Sequence, residues 1–354
     1  MTQDRLRLAR TEGVGPALHR RLLARHGSAA AALAALGPRA APAREAEREM
    51  ALLEKRGARL LFLGDPGYPP LLALLEDAPL VLAAEGDLAA LGRRGVALVG
   101  ARNASAAGCR LAEEMAEALA LKDIAVISGL ARGIDGAAHV GALRTGTTIA
   151  CIAGGLDRPY PRENERLQRR IAEEGGLVLS EAPLGTAPLA RHFPRRNRVV
   201  AGLSLGVVVV EAALASGTLI TARLAVENGR TLFAVPGHPL DPRSRGANEL
   251  IRQGATLTET AEDVLLHLPE APLPRPALPL APFPDIPRAA AEDPAPPGDG
   301  AAQVLEMLGP VPMMVDELGR RCQLSRPELA ALLTELELAG RVESLPGNRV
   351  ARLP

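Results

Sequence analysis

The chain is poor in aromatic residues, lysines and net charge, and each shortage excludes a class of protein or site. It has 354 residues with no Trp, 2 Tyr and 4 Phe, so any aromatic side chain beside a candidate site stands out. Lys+Arg 41 balances Asp+Glu 41, which excludes a tail-driven polycation and restricts any binding of polyanions to a local basic patch. Lysine occurs at Lys55 and Lys122 alone, so a Walker-type phosphate loop is excluded.

The cysteines and the apolar runs exclude further classes. Cys109, Cys151 and Cys322 are odd in number and lack CxxC spacing, which indicates neither a disulfide framework nor a zinc site. The charged N-terminus has no apolar core typical of a signal peptide. Charged and hydroxyl residues interrupt the most apolar window, 203–226, which therefore fails the ~20-residue requirement for a membrane span. We expect a cytoplasmic protein with no membrane association and no metal.

Length and proline spacing predict several domains. At roughly 150 residues per domain, the length corresponds to two or three domains. Eleven prolines between residues 269 and 298 exclude a packed core there and predict an extended linker. The predicted organisation is an N-terminal helical (SAM or helix-hairpin-helix-like) domain at 1–56, a central domain at 57–268, the linker at 269–298 and a winged-helix domain at 299–354.

In the central domain, apolar β-branched runs alternate with amphipathic stretches. Runs without polar alternation are typical of strands buried on both faces, and they occur at 96–100, 124–129, 147–155, 176–181, 206–212 and 231–237. Helical patterns lie between them at 106–120, 135–144, 164–174, 195–203 and 219–228. The order predicts the α/β class, with an extended Rossmann-like doubly wound sheet. Residues 60–63 and 80–84 are candidate additional strands.

Both flanking domains have helical patterns. Residues 1–45 are predicted to form a helical pair or bundle around Gly13-Val14-Gly15-Pro16, either a phosphate-binding helix-hairpin-helix turn or a plain glycine-terminated turn. Helices at 301–308, 314–322 and 327–339, followed by strands at 341–345 and 349–353, have the order of a winged helix. Its last helix carries more acidic than basic residues, which favours a partner-binding or regulatory role over readout of DNA sequence.

Candidate binding residues follow the predicted strands, because ligands of open α/β sheets bind beyond the carboxyl ends of the strands. Glycine turns with hydroxyl or guanidinium groups are suited to anions. Four arginines between 191 and 198 surround Phe193, a composition that favours phosphate contacts beside a stacking surface. The predicted DNA-binding residues are Gly100, Ala101, Arg102, Ser105, Ser128, Gly129, Arg132, Gly133, Gly154, Gly155, Tyr160, Phe193, Arg195, Arg196, Asn197, Arg198, Ser216 and Gly217.

Several nearby residues have a second interpretation. Asp135 is either a helix N-cap or part of the ligand site, and Tyr160 either stacks on a base or packs against its neighbouring prolines. His139 and His192 are near enough to act as a general base, but a polar helix or cap position explains each of them. The sequence contains no GxSxG, HExxH or GxGxxG with a ribose-binding acid, so no catalytic residue and no cofactor are predicted.

Six segments in order resemble one family closely. They are VALVGARNAS, SGLARGIDGAAHVGAL, GGLDRPYPREN, HFPRRNRVVAGLS, VVEAALASGTLITARLA and FAVPGHPLDPRSRGANELIRQGA, within residues 57–268. Together they resemble the DNA-processing protein A (DprA/Smf) family. Two departures are Ala182, where an aromatic residue commonly follows the Ser-Glu pair, and His238, where a small polar residue is common.

The resemblance implies a function and a set of contacts. It implies a cytoplasmic homodimer that binds single-stranded DNA without catalysis, protects it, and helps load a RecA-type recombinase during natural transformation. It places phosphate contacts on the Gly100-Ala101-Arg102 turn, the Ser128-Gly129 loop and the Arg196-Asn197-Arg198 segment, with Phe193 nearby. The winged helix and the N-terminal helices occur in members of that family.

Two other functions compete with this hypothesis. One is a nucleoside 5′-monophosphate hydrolase with Glu181 or Glu211 acting on the ribose, although SGTLIT replaces the PGGxGT-type loop of such enzymes. The other is a regulatory scaffold, in which the winged helix docks a partner and the sheet senses a nucleotide. Binding that depends on polymer length and falls steeply with salt distinguishes a strand binder from a mononucleotide site.

Overall fold

The computed structural model describes residues 2–271, 300–309 and 311–353. Apart from its first residues, the predicted linker at 269–298 lies outside the described residues. The described chain has N-terminal helices, a central α/β sheet and a C-terminal winged helix. The predicted fold class is therefore confirmed.

The N-terminal segment is a helical bundle rather than a pair. Its helices are α1 (Thr2–Arg10), α2 (Pro16–His26), α3 (Ala29–Leu36) and α4 (Ala43–Lys55). Leu8 and Val14 pack with α3 in one small core, whereas Leu6 packs on Phe62 and Val81 of the central sheet. This second contact attaches the bundle to the sheet.

The central sheet forms from short, almost wholly buried strands. They are β1 (Arg59–Phe62), β2 (Val81–Gly86), β3 (Gly95–Val99), β4 (Ala125–Ser128), β5 (Thr148–Ile152), β6 (Leu177–Ser180), β7 (Gly206–Val209), β8 (Thr231–Ala234) and β9 (Thr256–Leu257). Their order is β1-β2-β6-β5-β4-β3-β7-β8-β9. Strands β3 to β9 are parallel, whereas β1 and β2 add an antiparallel edge. All predicted strands are found; β9 was not predicted, because two residues are too short for a pattern.

Helices cover both faces of the sheet, as a buried parallel sheet requires. They are α5 (Pro70–Ala73), α6 (Ala106–Leu121), α7 (Ile134–Ala142), α8 (Glu165–Glu173), α9 (His192–Leu203), α10 (Thr218–Glu227), α11 (Arg245–Arg252) and α12 (Ala261–His267). Helices α9, α10 and α11 pack on one face, and α6, α7 and α12 pack on the other. Helices α11 and α12 were not predicted, and α9 begins at 192, three residues before the predicted start at 195.

The strand order reverses beside β3. Strands β4, β5 and β6 lie on one side of β3, and β7 and β8 lie on the other. The carboxyl ends of these parallel strands meet along one side of the sheet, which we call the carboxyl edge. Ligands of open α/β sheets bind at such an edge near the reversal of strand order.

The C-terminal domain is a winged helix that contacts the central domain. It comprises α13 (Gly300–Met307), β10 (Met313–Met314), α14 (Val315–Cys322), α15 (Arg326–Leu338), β11 (Val342–Leu345) and β12 (Arg349–Arg352). A capping box of Ser325 and Glu328 begins α15, as the Ser-x-x-Glu spacing in the sequence indicates. The Arg243 guanidinium donates to the carbonyls of Glu306 and Leu308, at 2.6 and 3.2 Å, and so joins the two domains.

The described residues lack two kinds of feature. No described helix combines the length and apolarity needed to cross a membrane. In the described part of the chain, His, Cys, Asp and Glu form no group of three or more able to hold a metal ion.

Candidate nucleic-acid interface

Glycines let the turns after β3 and β4 interlock at the carboxyl edge. The Ile134 N–H donates to the Ala101 carbonyl at 3.3 Å, which ties the start of α7 to the first turn. Gly133 has φ +70°, and a Cβ there would lie 2.3 Å from the Ala101 oxygen. A Cβ on Gly100 would lie 2.5 Å from the Ile134 side chain. Larger residues at either position would push the two turns apart.

Arg196 lies beneath the edge and fills the space that Gly129 leaves open. A Cβ on Gly129 would be 1.6 Å from Nη1 of Arg196, so the two positions are sterically coupled. The same Nη1 donates to the Cys151 carbonyl at 2.9 Å. Arg196 is 7% exposed. Its guanidinium therefore supports the glycine turns from within, rather than projecting from the surface as the sequence suggested.

A buried carboxylate faces Arg196 below the glycine turns. Asp135 is 5% exposed, and its Oδ2 accepts the Gly129 N–H at 3.1 Å. Burial raises the pKa of Asp135, while the Arg196 charge and the N–H groups of Ala131 and Gly129 act in the opposite direction. The N-cap of α7 is Gly133, so the N-cap interpretation of Asp135 was wrong. Asp135 holds the Gly129 turn in place.

His139 extends this buried polar cluster, and its environment argues against a role as a general base. Thr148 Oγ1 donates to the Val126 carbonyl, so Nδ1 of His139, 2.7 Å away, donates to Thr148. Its Nε2 has no hydrogen-bond partner within the described residues. Burial, with the nearby Arg196 charge, lowers the pKa of His139 to about 3. The imidazole is therefore neutral at physiological pH and is closed off from ligands.

The lowered pKa of His139 predicts an acid-sensitive fold. The unfolded chain takes up a proton at His139 near pH 6.5 and the native chain only near pH 3, so stability falls as the pH drops through this window. Between pH 7 and pH 5 the wild type should lose about 2 kcal/mol more free energy of unfolding than His139→Gln. Urea titrations at both pH values measure this difference, and Asp135 titrates in both proteins. Equal losses would show that His139 is not the group responsible.

The exposed layer of the site joins one guanidinium to two aromatic rings. The Arg102 guanidinium carbon lies 4.9 Å from the centre of the Phe193 ring, and that of Arg196 lies 5.8 Å from it. The Tyr160 ring meets Phe193 edge-on, with centroids 5.5 Å apart. We call Arg102, Tyr160, Phe193 and Arg196 the arginine–aromatic cluster. Within the described residues Arg102 has no ion-pair partner, so its charge is free to meet an anion.

Two further exposed arginines are paired with carboxylates. Arg132 pairs with Glu163 at 2.5 Å, and Arg195 pairs with Glu181 at 2.9 Å. The arginine side chains are 45% and 66% exposed, respectively. Exposed ion pairs of this kind are weak, so a phosphate competes readily for either guanidinium.

Arg198 and Asn197 have partners within the protein. Arg198 is 8% exposed, and its Nη2 donates to both carboxylate oxygens of Glu181 at 2.7 Å. Its Nη1 donates to the Asp77 carbonyl. Asn197 Oδ1 accepts from Nε of Arg196 at 3.2 Å. The structure therefore supports positioning roles for these two residues and does not support the predicted phosphate contact of Arg198.

Ser105 and Glu211 close the start of α6. Ser105 Oγ accepts the Gly108 N–H at 2.9 Å, which is the expected N-cap bond. Both carboxylate oxygens of Glu211 are engaged by Ser105, one by its N–H at 2.8 Å and the other by its hydroxyl. A Cβ on Gly108 would lie 2.6 Å from this carboxylate. Glu211 therefore occupies the helix N-terminus where a Rossmann-like fold commonly holds a phosphate.

The turn after β7 is tied back to the turn after β3. Ser216 Oγ donates to Thr218 Oγ1 at 3.0 Å, and Thr218 Oγ1 donates to the Gly100 carbonyl at 2.9 Å. Gly217 is the N-cap of α10 and carries no side-chain cap. The Ser216 and Thr218 hydroxyls therefore shape this turn and join it to the turn after β3.

Three predicted residues lie inside the fold. Ser128 is fully buried, and its hydroxyl donates to the Leu98 carbonyl at 2.6 Å. Gly154 and Gly155 pack against the backbone of the 183–188 loop, where an added Cβ would lie 2.9 and 2.6 Å from a carbonyl oxygen. Gly154 and Gly155 therefore support the loop before α9 and do not face solvent.

Two residues that organise the site, Glu181 and Arg10, are not among the predicted DNA-binding residues. Glu181 orients Arg195 and Arg198, and Arg10 of α1 donates to the Glu181 carbonyl at 2.8 Å. Arg10 also forms an ion pair with the nearly buried Glu49 at 2.7 Å. The position of Glu181 at a strand end was visible in the sequence. The link to Arg10 had no local signal, because the two residues are 171 positions apart.

Comparisons with known proteins place this geometry in a family. Residues 59–269 match the family model described as DNA recombination-mediator protein A. The chain belongs to this family. Residues 2–59 match the DprA-like N-terminal HHH domain and residues 288–348 match the DprA winged helix domain. The family resemblance found in the sequence is thus confirmed.

Individual relatives support the assignment. The chain is 41% identical to Protein Smf of Escherichia coli K12 over 322 residues, covering 87% of this chain and 81% of that protein. It is 46% identical to DNA processing protein DprA of Streptococcus pneumoniae over 202 residues, covering 57% and 71% of the two chains.

Two solved structures of the family have the same fold. The X-ray structure of DprA from Streptococcus pneumoniae is 35% identical with a TM-score of 0.65, covering 77% of this chain and 99% of that one. A structure of DNA processing protein A from Helicobacter pylori, described by its single-stranded DNA binding mode, is 31% identical with a TM-score of 0.54. It covers 59% of this chain and 95% of that one.

Proposed function

We propose that the chain binds single-stranded DNA along the carboxyl edge as a recombination mediator. The arginine–aromatic cluster carries the proposal, because it sets a free guanidinium, Arg102, beside two rings in a chain with only 6 aromatic residues. Guanidinium groups neutralise phosphates, and rings stack on unpaired bases. The single-stranded DNA binding of the Helicobacter pylori relative supports the same function.

We propose binding without sequence preference and without catalysis. Guanidinium groups neutralise phosphates and rings stack on the face of any base, and neither interaction depends on the sequence of the strand. The carboxylates that a ribose hydrolase would need are engaged elsewhere. Glu181 is held by Arg195 and Arg198, and Glu211 is held by Ser105. These bonds favour the strand binder over the nucleotide-hydrolase alternative.

Family membership supports a proposed biological role. We propose that the protein protects incoming single strands and helps load a RecA-type recombinase during natural transformation, in the cytoplasm and as a homodimer. The winged helix, with ion pairs of Arg110 to Glu317 at 3.6 Å and Arg321 to Glu113 at 3.7 Å across the domain contact, is suited to a regulatory role.

Fluorescence anisotropy with a labelled dT oligomer tests the function directly. Unlabelled duplex of equal length and AMP are the competitors, and the titration is repeated across a salt series. We expect single strands to compete best and the affinity to fall steeply with salt, because phosphate contacts release counterions. Competition by AMP alone would support the nucleotide enzyme and contradict the proposed function.

A further inference from the structure

A cleft separates the N-terminal helices from the carboxyl edge. Its volume is about 290 Å³. One wall comes from α1 and the turn before α2, including Arg10 and Gly15. The opposite wall comes from the ends of β5 and β6 and from α9, including Ile152, Glu181 and Arg195. Its volume lies near the lower limit for small-molecule pockets, so it suits one nucleotide unit.

The charged side chains of the cleft favour an anion. Arg10, Arg195 and Arg196 line it, together with Glu181 and with His192, whose pKa is lowered by burial. The Glu181 carboxylate is already neutralised by guanidinium groups, since Arg198 donates to both of its oxygens and Arg195 to one. Glu49 balances Arg10 and Asp135 balances Arg196, so two guanidinium groups on the single Glu181 carboxylate leave the cleft with an excess of one positive charge.

The cleft adjoins the arginine–aromatic cluster, because Arg196 belongs to both. Arg196 lines the cleft and also lies 5.8 Å from the centre of the Phe193 ring. Ala153, Ala182 and Pro183, which are partly exposed, supply an apolar wall. A strand that crosses Phe193 thus meets, next along the surface, a cleft with cationic and apolar sides. This is the combination that a nucleotide requires.

We propose that this cleft holds one nucleotide of the bound strand, so that the N-terminal helices form part of the DNA-binding site. The inference rests on the proposed function and extends it to residues outside the central domain. The phosphate lies beside Arg195, and the base packs on the apolar wall. The turn before α2 closes the site from the other side.

Gly15 offers a test that leaves the cationic side chains intact. It has φ −84° and ψ 176°, conformations open to any residue, and an added Cβ would meet nothing within 4 Å. Gly15→Glu and Gly15→Lys, made in the full chain, place opposite charges at the cleft. Gly92 is the matched control position, because it lies before β3 at the opposite edge and is equally open.

Opposite responses are expected from the two charges. Gly15→Glu should weaken dT-oligomer binding about fivefold and Gly15→Lys should strengthen it by a similar factor, as expected for one charge near a phosphate. Gly15→Lys should also steepen the slope of log affinity against log salt by about 0.7, equivalent to one added phosphate contact. The Gly92→Glu and Gly92→Lys changes should each alter the affinity by less than about twofold.

The possible outcomes separate this inference from the proposed function. If the wild type binds dT oligomers with a steep salt dependence while both Gly15 variants match it, the cleft is not part of the site. If both Gly15 variants weaken binding equally, the substitutions have disturbed the local structure, and the cleft is again not part of the binding site. If the wild type itself fails to bind single strands, the proposed function fails first.

Discussion

Replacing Arg102 by alanine is expected to weaken binding of single-stranded DNA about tenfold, the effect of losing one charge-assisted hydrogen bond. Arg102 is exposed, lies over Phe193 and has no ion-pair partner within the described residues. Its loss should also reduce the slope of log affinity against log salt by about 0.7. Because the side chain is on the surface, the free energy of unfolding should change by less than about 0.5 kcal/mol.

Arg170→Ala is the matched control for Arg102→Ala. Arg170 is an exposed arginine on α8 that pairs with Glu174 at 2.9 Å, near the end of the helix farthest from the carboxyl edge. Both changes remove one positive charge from the protein. Anisotropy across a salt series should therefore show weakened binding for Arg102→Ala alone. Wild-type affinity in Arg102→Ala, or an equal loss in Arg170→Ala, would refute the proposed contact.

Replacing Arg196 by alanine is expected to lower both stability and DNA affinity. Removal of this guanidinium leaves Asp135 buried without its opposing charge and leaves the Cys151 carbonyl without its donor. The lost hydrogen bond and the unopposed buried carboxylate should together lower the free energy of unfolding by about 2–3 kcal/mol. The turn at Gly129 and the ring of Phe193 lose their support, so binding should weaken by more than tenfold, and urea unfolding with anisotropy measures both effects.

A second substitution separates the two effects of Arg196. In Asp135→Asn/Arg196→Ala the buried charge is absent, so part of the free energy of unfolding should return, by about 1–2 kcal/mol relative to Arg196→Ala. DNA affinity should stay low, because the support for Phe193 is still missing. Recovery of affinity together with stability would show that Arg196 acts on the fold alone.

Much of the fold was predictable because its signals are local. The buried β-branched runs predicted the central strands, and the Ser325 and Glu328 spacing predicted the start of α15. The α11 and α12 helices were missed, because each is short and lies after the last strong strand pattern. Glycines after strands predicted turns, and Gly100 and Gly133 do lie where two turns meet.

The roles of the individual arginines were less predictable. The sequence placed Arg102, Arg195, Arg196 and Arg198 in one class of phosphate contacts. In the structure Arg102 and Arg195 are exposed, while Arg196 and Arg198 are 7% and 8% exposed. Adjacent residues on a helix point in directions about 100° apart. One basic run therefore supplies both exposed arginines that can meet a ligand and buried arginines that support the site.

The sequence by itself determined which residues belong at the carboxyl edge. Strand patterns, turn glycines and the basic run around Phe193 are all properties of neighbouring residues. Tertiary structure decided which of these residues face the solvent and which support the site from within. The buried side of α9 is set by the contacts that Arg196 makes around Gly129, Asp135 and Cys151. These three residues are distant from α9 in sequence and come together only after the strands have paired.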